Sequence, residues 1–186
     1  MNIVETFIPD LVIIEPKVFE DQRGYFFESY SAESLKKAGI NTVFVQDNES
    51  KSSFGVLRGL HYQLAPYAQT KLVRVVQGEV FDVAVDLRKN SPTFGKWYGL
   101  VLSAENKKQL FVPQGFAHGF AVLSETAVFS YKCDNYYSPK AERGILYNDP
   151  KLNIDWNIDL SKAIISPKDQ VHPDLEHAEI NFSFSR

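Results

Sequence analysis

Apolar and polar residues alternate with a period of two over much of this 186-residue chain, in short runs rich in Val, Ile, Phe and Tyr separated by Gly, Pro, Asn and Asp. The runs fall at 11–18, 24–30, 43–47, 55–63, 70–76, 79–87, 97–102, 109–112, 117–123 and 126–133. Many short strands with turn signals between them predict an all-β sandwich or barrel. Helical periodicity is brief. Residues 31–39 read as a serine cap, a helix-forming middle and a terminal glycine, and a second short helical or irregular piece is expected around 161–177. No repeat, linker or low-complexity stretch interrupts the chain, so 1–186 reads as one domain. Its segment 136–186 is expected to pack over the barrel, anchored by Trp156 and several prolines.

Two stretches carry chemistry within this alternation. In Gly55-Val56-Leu57-Arg58-Gly59-Leu60-His61-Tyr62-Gln63, an arginine and a histidine occupy an apolar strand bracketed by glycines. A strand made only for a core would not hold them. Strict alternation puts Arg58 and His61 on opposite faces, so both reach one cavity only if Gly59 bulges the strand. Residues 71–86 then alternate through Gln77-Gly78, the pattern of a β-hairpin. With a two-residue loop, Val76 faces Glu79, Val75 faces Val80, Val73 faces Asp82 and Lys71 faces Ala84, which makes Lys71 and Asp82 diagonal neighbours on one face. Leu72, Val76, Phe81, Val83, Val85 and Leu87 would form the opposite, packing face.

Composition narrows the class. With 44% hydrophobic and 13% aromatic residues the chain can bury a core without staples, and its one cysteine, Cys133, rules out an internal disulfide. The N-terminus shows no basic region followed by an apolar stretch, so no signal peptide is expected, and the apolar runs are too short to span a membrane. A net charge of −3 with dispersed lysines gives no basic stripe for a nucleic acid polymer. A cytoplasmic location is expected.

In Phe111-Val112-Pro113-Gln114-Gly115-Phe116-Ala117-His118-Gly119-Phe120, Pro113 and Gly115 shape a turn before His118. This Pro-x-Gly-x-x-His segment, with the glycine-bounded strands, resembles the cupin superfamily, whose double-stranded β-helix (jelly-roll) barrels often hold a metal on histidines and a carboxylate. The metal reading needs a histidine two residues after His61, where Gln63 stands. Neutral amides are poor transition-metal ligands beside imidazole, and the Lys71 ammonium would repel a cation in the same low-dielectric cavity. No metal is expected.

More specifically, Asp21-Gln22-Arg23-Gly24-Tyr25-Phe26-Phe27-Glu28, Gln46-Asp47-Asn48-Glu49-Ser50, 55–63, 71–88, Ser91-Pro92-Thr93-Phe94-Gly95, 113–120, Tyr131-Lys132-Cys133, Glu142-Arg143-Gly144-Ile145 and Asn148-Asp149-Pro150 resemble the dTDP-4-dehydrorhamnose 3,5-epimerase family. The match runs in order from about residue 8 to 170. It implies a cupin barrel with short peripheral helices and an isomerase of dTDP-L-rhamnose synthesis, which supplies surface-polysaccharide precursors. The implied reaction is epimerisation at C3 and C5 of dTDP-4-dehydro-6-deoxy-D-glucose to dTDP-4-dehydro-L-rhamnose, without a cofactor. Tyr147 stands where the family often has tryptophan, and Asn157 where proline often follows the tryptophan matching Trp156; neither position carries chemistry. The alternatives are an epimerase of C3 or C5 alone, a 3,4-ketoisomerase, a non-catalytic sugar-binding cupin and a metal-dependent cupin.

Epimerising a carbon beside a ketone requires a base, a cation for the enolate oxygen and an acid on the opposite face. An imidazole, with a reference pKa of about 6.5, suits the base, and His61 is the candidate. The resemblance pairs it with Asp169, places Lys71 near the C4 oxygen and makes Tyr131 the proton donor; the diagonal pairing would let Asp82 support Lys71. For the nucleotide sugar, Arg23, Arg58 and Lys168 offer cations to the phosphates. Glu28, Gln46, Asn48, Gln63 and Glu142 offer hydrogen bonds, His118 is expected beside the sugar, and Tyr137 is the candidate to stack on thymine. In the family the N-terminal segment crosses to a partner, so residues 1–30, with Phe19, Arg23 and Glu28, are expected to complete the other site of a homodimer. Residues 2–18 read as an apolar strand that needs pairing.

Overall fold

The computed structural model describes residues 1–185. Its strands are β1 (Asn2–Glu5), β2 (Val12–Glu15), β3 (Val18–Asp21), β4 (Gly24–Phe27), β5 (Gln46–Ser53), β6 (Val56–Gln63), β7 (Lys71–Gln77), β8 (Glu79–Asp86), β9 (Trp97–Ser103), β10 (Gln109–Val112), β11 (Phe116–Val122), β12 (Thr126–Cys133), β13 (Glu142–Gly144) and β14 (Ile164–Ile165). One sheet has the order β1-β2-β10-β7-β12-β5 and the other β13-β6-β11-β8-β9, with β14 beside β6. From β5 to β8, and again from β9 to β12, the chain changes sheet at each step. This makes the double-stranded β-helix expected from the sequence.

Alternation assigns each strand an inner and an outer face. Val73 and Val75 of β7, Val80 and Ala84 of β8, Phe116, Phe120 and Val122 of β11 and Phe129 of β12 meet between the sheets. The outer face of the second sheet, with Leu57, Leu60, Phe81, Val83 and Val85, is covered by the C-terminal segment through Ile145, Leu152, Trp156 and Phe182. Trp156 is fully buried, and its indole donates to the Tyr147 carbonyl at 2.8 Å. Asn157 adopts φ +58°, a conformation the proline ring forbids.

The expected hairpin over 71–86 does not form: β7 pairs with β10 and β12, while β8 pairs with β9 and β11. The chain turns a corner between sheets at Gly78, whose φ is +77° and whose added Cβ would fall 2.1 Å from the Thr126 carbonyl. The predicted packing face therefore divides. Leu72 lies under α1 (Ala32–Lys37) with Leu35, Val76 is exposed, and Phe81, Val83, Val85 and Leu87 meet the C-terminal segment. A corner and a hairpin share the same period of two, which is why alternation did not separate them.

Two boundaries also differ. The strand expected at 43–47 is the polar β5, in which Gln46, Asn48, Ser50 and Ser52 are the less exposed positions. Residues 2–18 do not run as one strand: β1 and β2 form an antiparallel hairpin pairing Asn2 with Glu15, and β3 then pairs with β4. The helix begins at its expected cap, where the Ser31 hydroxyl accepts from the Ser34 amide at 3.2 Å. Among the described residues, no helix is long and apolar enough to cross a membrane.

Candidate active site

The site depends on a defect in β6. His118 of β11 pairs with His61, but Phe120 pairs with Arg58, so β6 spends three residues where β11 spends two. The bulge centres on Gly59, at φ +127°, followed by a cis Gly59-Leu60 peptide. It turns both Arg58 and His61 inward, the geometry that the sequence required of Gly59.

A cavity of about 250 Å³ results, lined by Arg58, His61, Lys71, His118, Tyr131 and Asn48 together with Phe120 and Phe129. This is below the roughly 300–1,000 Å³ of pockets that engulf drug-sized ligands. It has room for the reacting part of a ligand, with the rest across the mouth.

Each ionisable group has a distinct environment. His61 Nε2 lies 2.7 Å from Asp169 Oδ1, while the Gly59 amide donates to Asp169 Oδ2 at 3.2 Å. Asp169 sits in a short 3-10 helix (Asp169–Val171) of the C-terminal segment and is buried. Burial pushes its carboxyl up, but the bonds from His61 and Gly59 outweigh this and hold it below the usual range. An ionised Asp169 fixes His61 with its proton on Nε2 and leaves the Nδ1 lone pair available.

Lys71 projects from β7 with its Nζ 5.7 Å from the centre of the Tyr131 ring. Burial lowers its pKa, and the Cys133, Asp82 and Glu142 charges oppose that shift. Asp82 does not pair with Lys71 as a hairpin neighbour, because the two strands lie in different sheets. Its carboxylate is fully buried and bonds to His118 Nε2 through both oxygens, at 3.0 and 2.9 Å. His118 in turn stacks on Phe129. The Tyr131 phenol is raised by burial, so it stays protonated near neutral pH.

Several expected binding residues lie outside this lining. Tyr137 is half exposed and its hydroxyl donates to Glu142 at 2.7 Å, while Lys168 Nζ lies 2.5 Å from the same carboxylate. Gln46 donates to Asn48 and accepts from the Tyr137 amide. Gln63 is buried, donating to the Tyr67 and Tyr136 carbonyls and accepting from the Ser138 amide. Phe19 and Arg23 lie on the β3–β4 hairpin, outside the cavity, where Arg23 pairs with Asp21. Glu28 follows that hairpin and accepts from Ser34 at 2.8 Å.

A cupin-type metal inside the barrel does not fit these residues. The Gln63 amide is occupied by backbone, His118 Nε2 is held by Asp82, and Lys71 puts an ammonium in the space. One residue at the site had no signal in the sequence: His172, whose Nε2 lies 3.5 Å from Asp169 Oδ1.

Comparison with known proteins agrees with this geometry. Residues 5–177 match the family model described as dTDP-4-dehydrorhamnose 3,5-epimerase. The chain is 61% identical over 170 residues to the dTDP-4-dehydrorhamnose 3,5-epimerase of Shigella flexneri, covering 91% of this chain and 93% of that one. A crystal structure of the Elizabethkingia anophelis enzyme superposes with a TM-score of 0.91 at 58% identity, covering 95% and 97% of the two chains. The Legionella pneumophila RmlC structure in complex with dTDP-4-keto-L-rhamnose gives 0.94 at 50% identity, covering 99% of each. With His61, Lys71 and Tyr131 sharing one barrel cavity and the family model matched over residues 5–177, the chain belongs to the dTDP-4-dehydrorhamnose 3,5-epimerase family.

Proposed function

We propose that this chain inverts C3 and C5 of dTDP-4-dehydro-6-deoxy-D-glucose, forming dTDP-4-dehydro-L-rhamnose, with the reacting sugar ring inside the barrel. The observation that carries the reading is the His61–Asp169 pair, 2.7 Å apart, sharing a cavity with Lys71 and Tyr131. Nδ1 of His61 takes the proton α to the C4 ketone. Asp169 holds the opposite Nε2–H and stabilises the imidazolium that forms. The Lys71 ammonium meets the negative charge that develops on O4, electrostatic assistance set in place before the step. Tyr131 returns a proton to the other face of the carbon. His118, held by Asp82, lies beside the sugar.

Arg58, Lys168, Glu142, Gln46, Asn48 and Tyr137 serve the diphosphate and thymidine at the mouth. Gln63 contributes indirectly, by fixing the 136–138 backbone beneath Tyr137. Phe19, Arg23 and Glu28 act in trans: their hairpin exposes Phe19, Tyr25 and Phe26, apolar surface that a second copy would cover in a cytoplasmic homodimer. Proton NMR of the product tests the reaction. The doubly inverted sugar is expected, and inversion at one carbon would make this a mono-epimerase.

A further inference from the structure

We propose that His61, Asp169 and His172 form a binding site for a divalent transition-metal ion such as Zn²⁺, and that metal bound there blocks His61. The blocking half rests on His61 being the base.

The donors are already gathered. His61 Nε2 and His172 Nε2 lie 2.7 and 3.5 Å from Asp169 Oδ1, and all three ligand atoms fall within 4.8 Å of one another. With Zn–N and Zn–O bonds of about 2.0–2.2 Å, the ligands of a tetrahedral zinc ion stand roughly 3.3 Å apart. Small movements would admit the ion, and two imidazoles with one carboxylate are a donor set zinc accepts.

His172 supplies the independent observation. Its Nε2 is buried without a hydrogen-bond partner, a condition that buried polar atoms seldom tolerate. The ring also occupies a made niche. It stands over Gly144, where an added Cβ would fall 2.3 Å from Nε2, and Gly144 is the strand partner of His61. The two imidazoles meet edge to face with centroids 5.7 Å apart. The Lys168 ammonium, which lies beside His61 and Asp169, pairs with Glu142 at 2.5 Å.

Access does not require entry through the barrel. His61 and Asp169 also line an outer cleft with Leu57, Arg58, Ile165, Ser166 and Lys168.

Inhibition follows from the tautomer. With its proton on Nε2, His61 offers the Nδ1 lone pair to the substrate. When a metal takes Nε2, that proton leaves and the neutral imidazole carries one on Nδ1 instead. The ring keeps its charge and loses its basic nitrogen.

The test is titration of the full-length protein with ZnCl₂ in a non-chelating buffer, reading binding by calorimetry and, separately, turnover. One zinc per chain is expected, with turnover lost in step and restored by EDTA. His172→Gln, with His172→Asn as a second variant should the first fold poorly, is expected to bind zinc at least about tenfold more weakly. The zinc-free turnover of each variant is the reference against which its loss on adding zinc is read. His177→Gln, at an exposed histidine paired with Asp174, should bind as the parent does. Equal zinc affinity in the parent and the folded His172 variants, or no binding by the parent, would overturn the site. Binding that depends on His172 but leaves turnover intact would overturn the block on His61 and count against His61 as the base.

Discussion

Gly59 lies so close to Gly119 that a Cβ on Gly59 would fall 2.6 Å from the Gly119 Cα and 2.9 Å from the His118 carbonyl. Two strands can approach in this way only with hydrogen at both positions, and the approach sustains the bulge that turns Arg58 and His61 the same way. Gly59→Ala is therefore expected to cost at least roughly 1–3 kcal/mol from its φ of +127° alone. It should also abolish turnover by separating the two side chains. Urea unfolding alongside an activity assay checks both.

Tyr131 stays protonated because burial raises its pKa, and it shares the cavity with His61 and Lys71. Tyr131→Phe is expected to lose about 10²–10⁴ of product formation, the usual worth of a positioned acid. It should still wash substrate protons into heavy water, because His61 is untouched. Loss of both together would place Tyr131 in the abstraction step.

Lys71 gives the rate an alkaline limit. Burial is the largest influence and lowers its pKa from the ordinary 10.5, with Cys133, Asp82 and Glu142 partly restoring it. The ammonium is the form that meets the developing oxyanion, so kcat should fall as pH rises through a value below 10.5. Lys71→Met should remove that limb of the pH profile along with about 10²–10³ of kcat.

Asp86 links the barrel to pH through stability. It is fully buried and accepts from Arg88 Nε at 2.9 Å, Ser91 Oγ at 2.6 Å and Thr93 Oγ1 at 2.8 Å. Burial pushes its carboxyl up, but these bonds together outweigh that and hold it below the ordinary range. A carboxylate with a depressed folded pKa stabilises the fold above its unfolded value of about 3.9 and loses that contribution as pH falls through the folded value. Asp86→Asn, which leaves Arg88 without its buried partner, is expected to cost roughly 3–5 kcal/mol at pH 7. The gap between parent and variant should narrow on acidification below about pH 4. Thermal unfolding across that range measures it.

The residues differ in how far the sequence disclosed their places. The inward turn of both Arg58 and His61 could be anticipated, because alternation forbade it unless Gly59 bulged. Lys71 facing the interior was legible from alternation too, but its pairing with Asp82 was not. That inference depended on a hairpin at Gly78, and a corner between sheets has the same local signature. Asp82 instead serves His118, a diagonal contact 36 residues away that the pairing of β8 with β11 creates. Asp169 had no local signal as a catalytic group, since it reaches His61 across 108 residues, and only the resemblance to the family pointed to it. β5 escaped a search for apolar runs because its less exposed side carries Gln46, Asn48, Ser50 and Ser52.

The most direct measurement follows the C3 and C5 proton signals of dTDP-4-dehydro-6-deoxy-D-glucose by NMR in heavy water, with the parent chain and with His61→Ala. If His61 is the base for both carbons, the parent exchanges both positions and His61→Ala exchanges neither above the uncatalysed rate. Near-normal exchange in folded His61→Ala would contradict that assignment, and exchange at a single carbon in the parent would contradict double epimerisation.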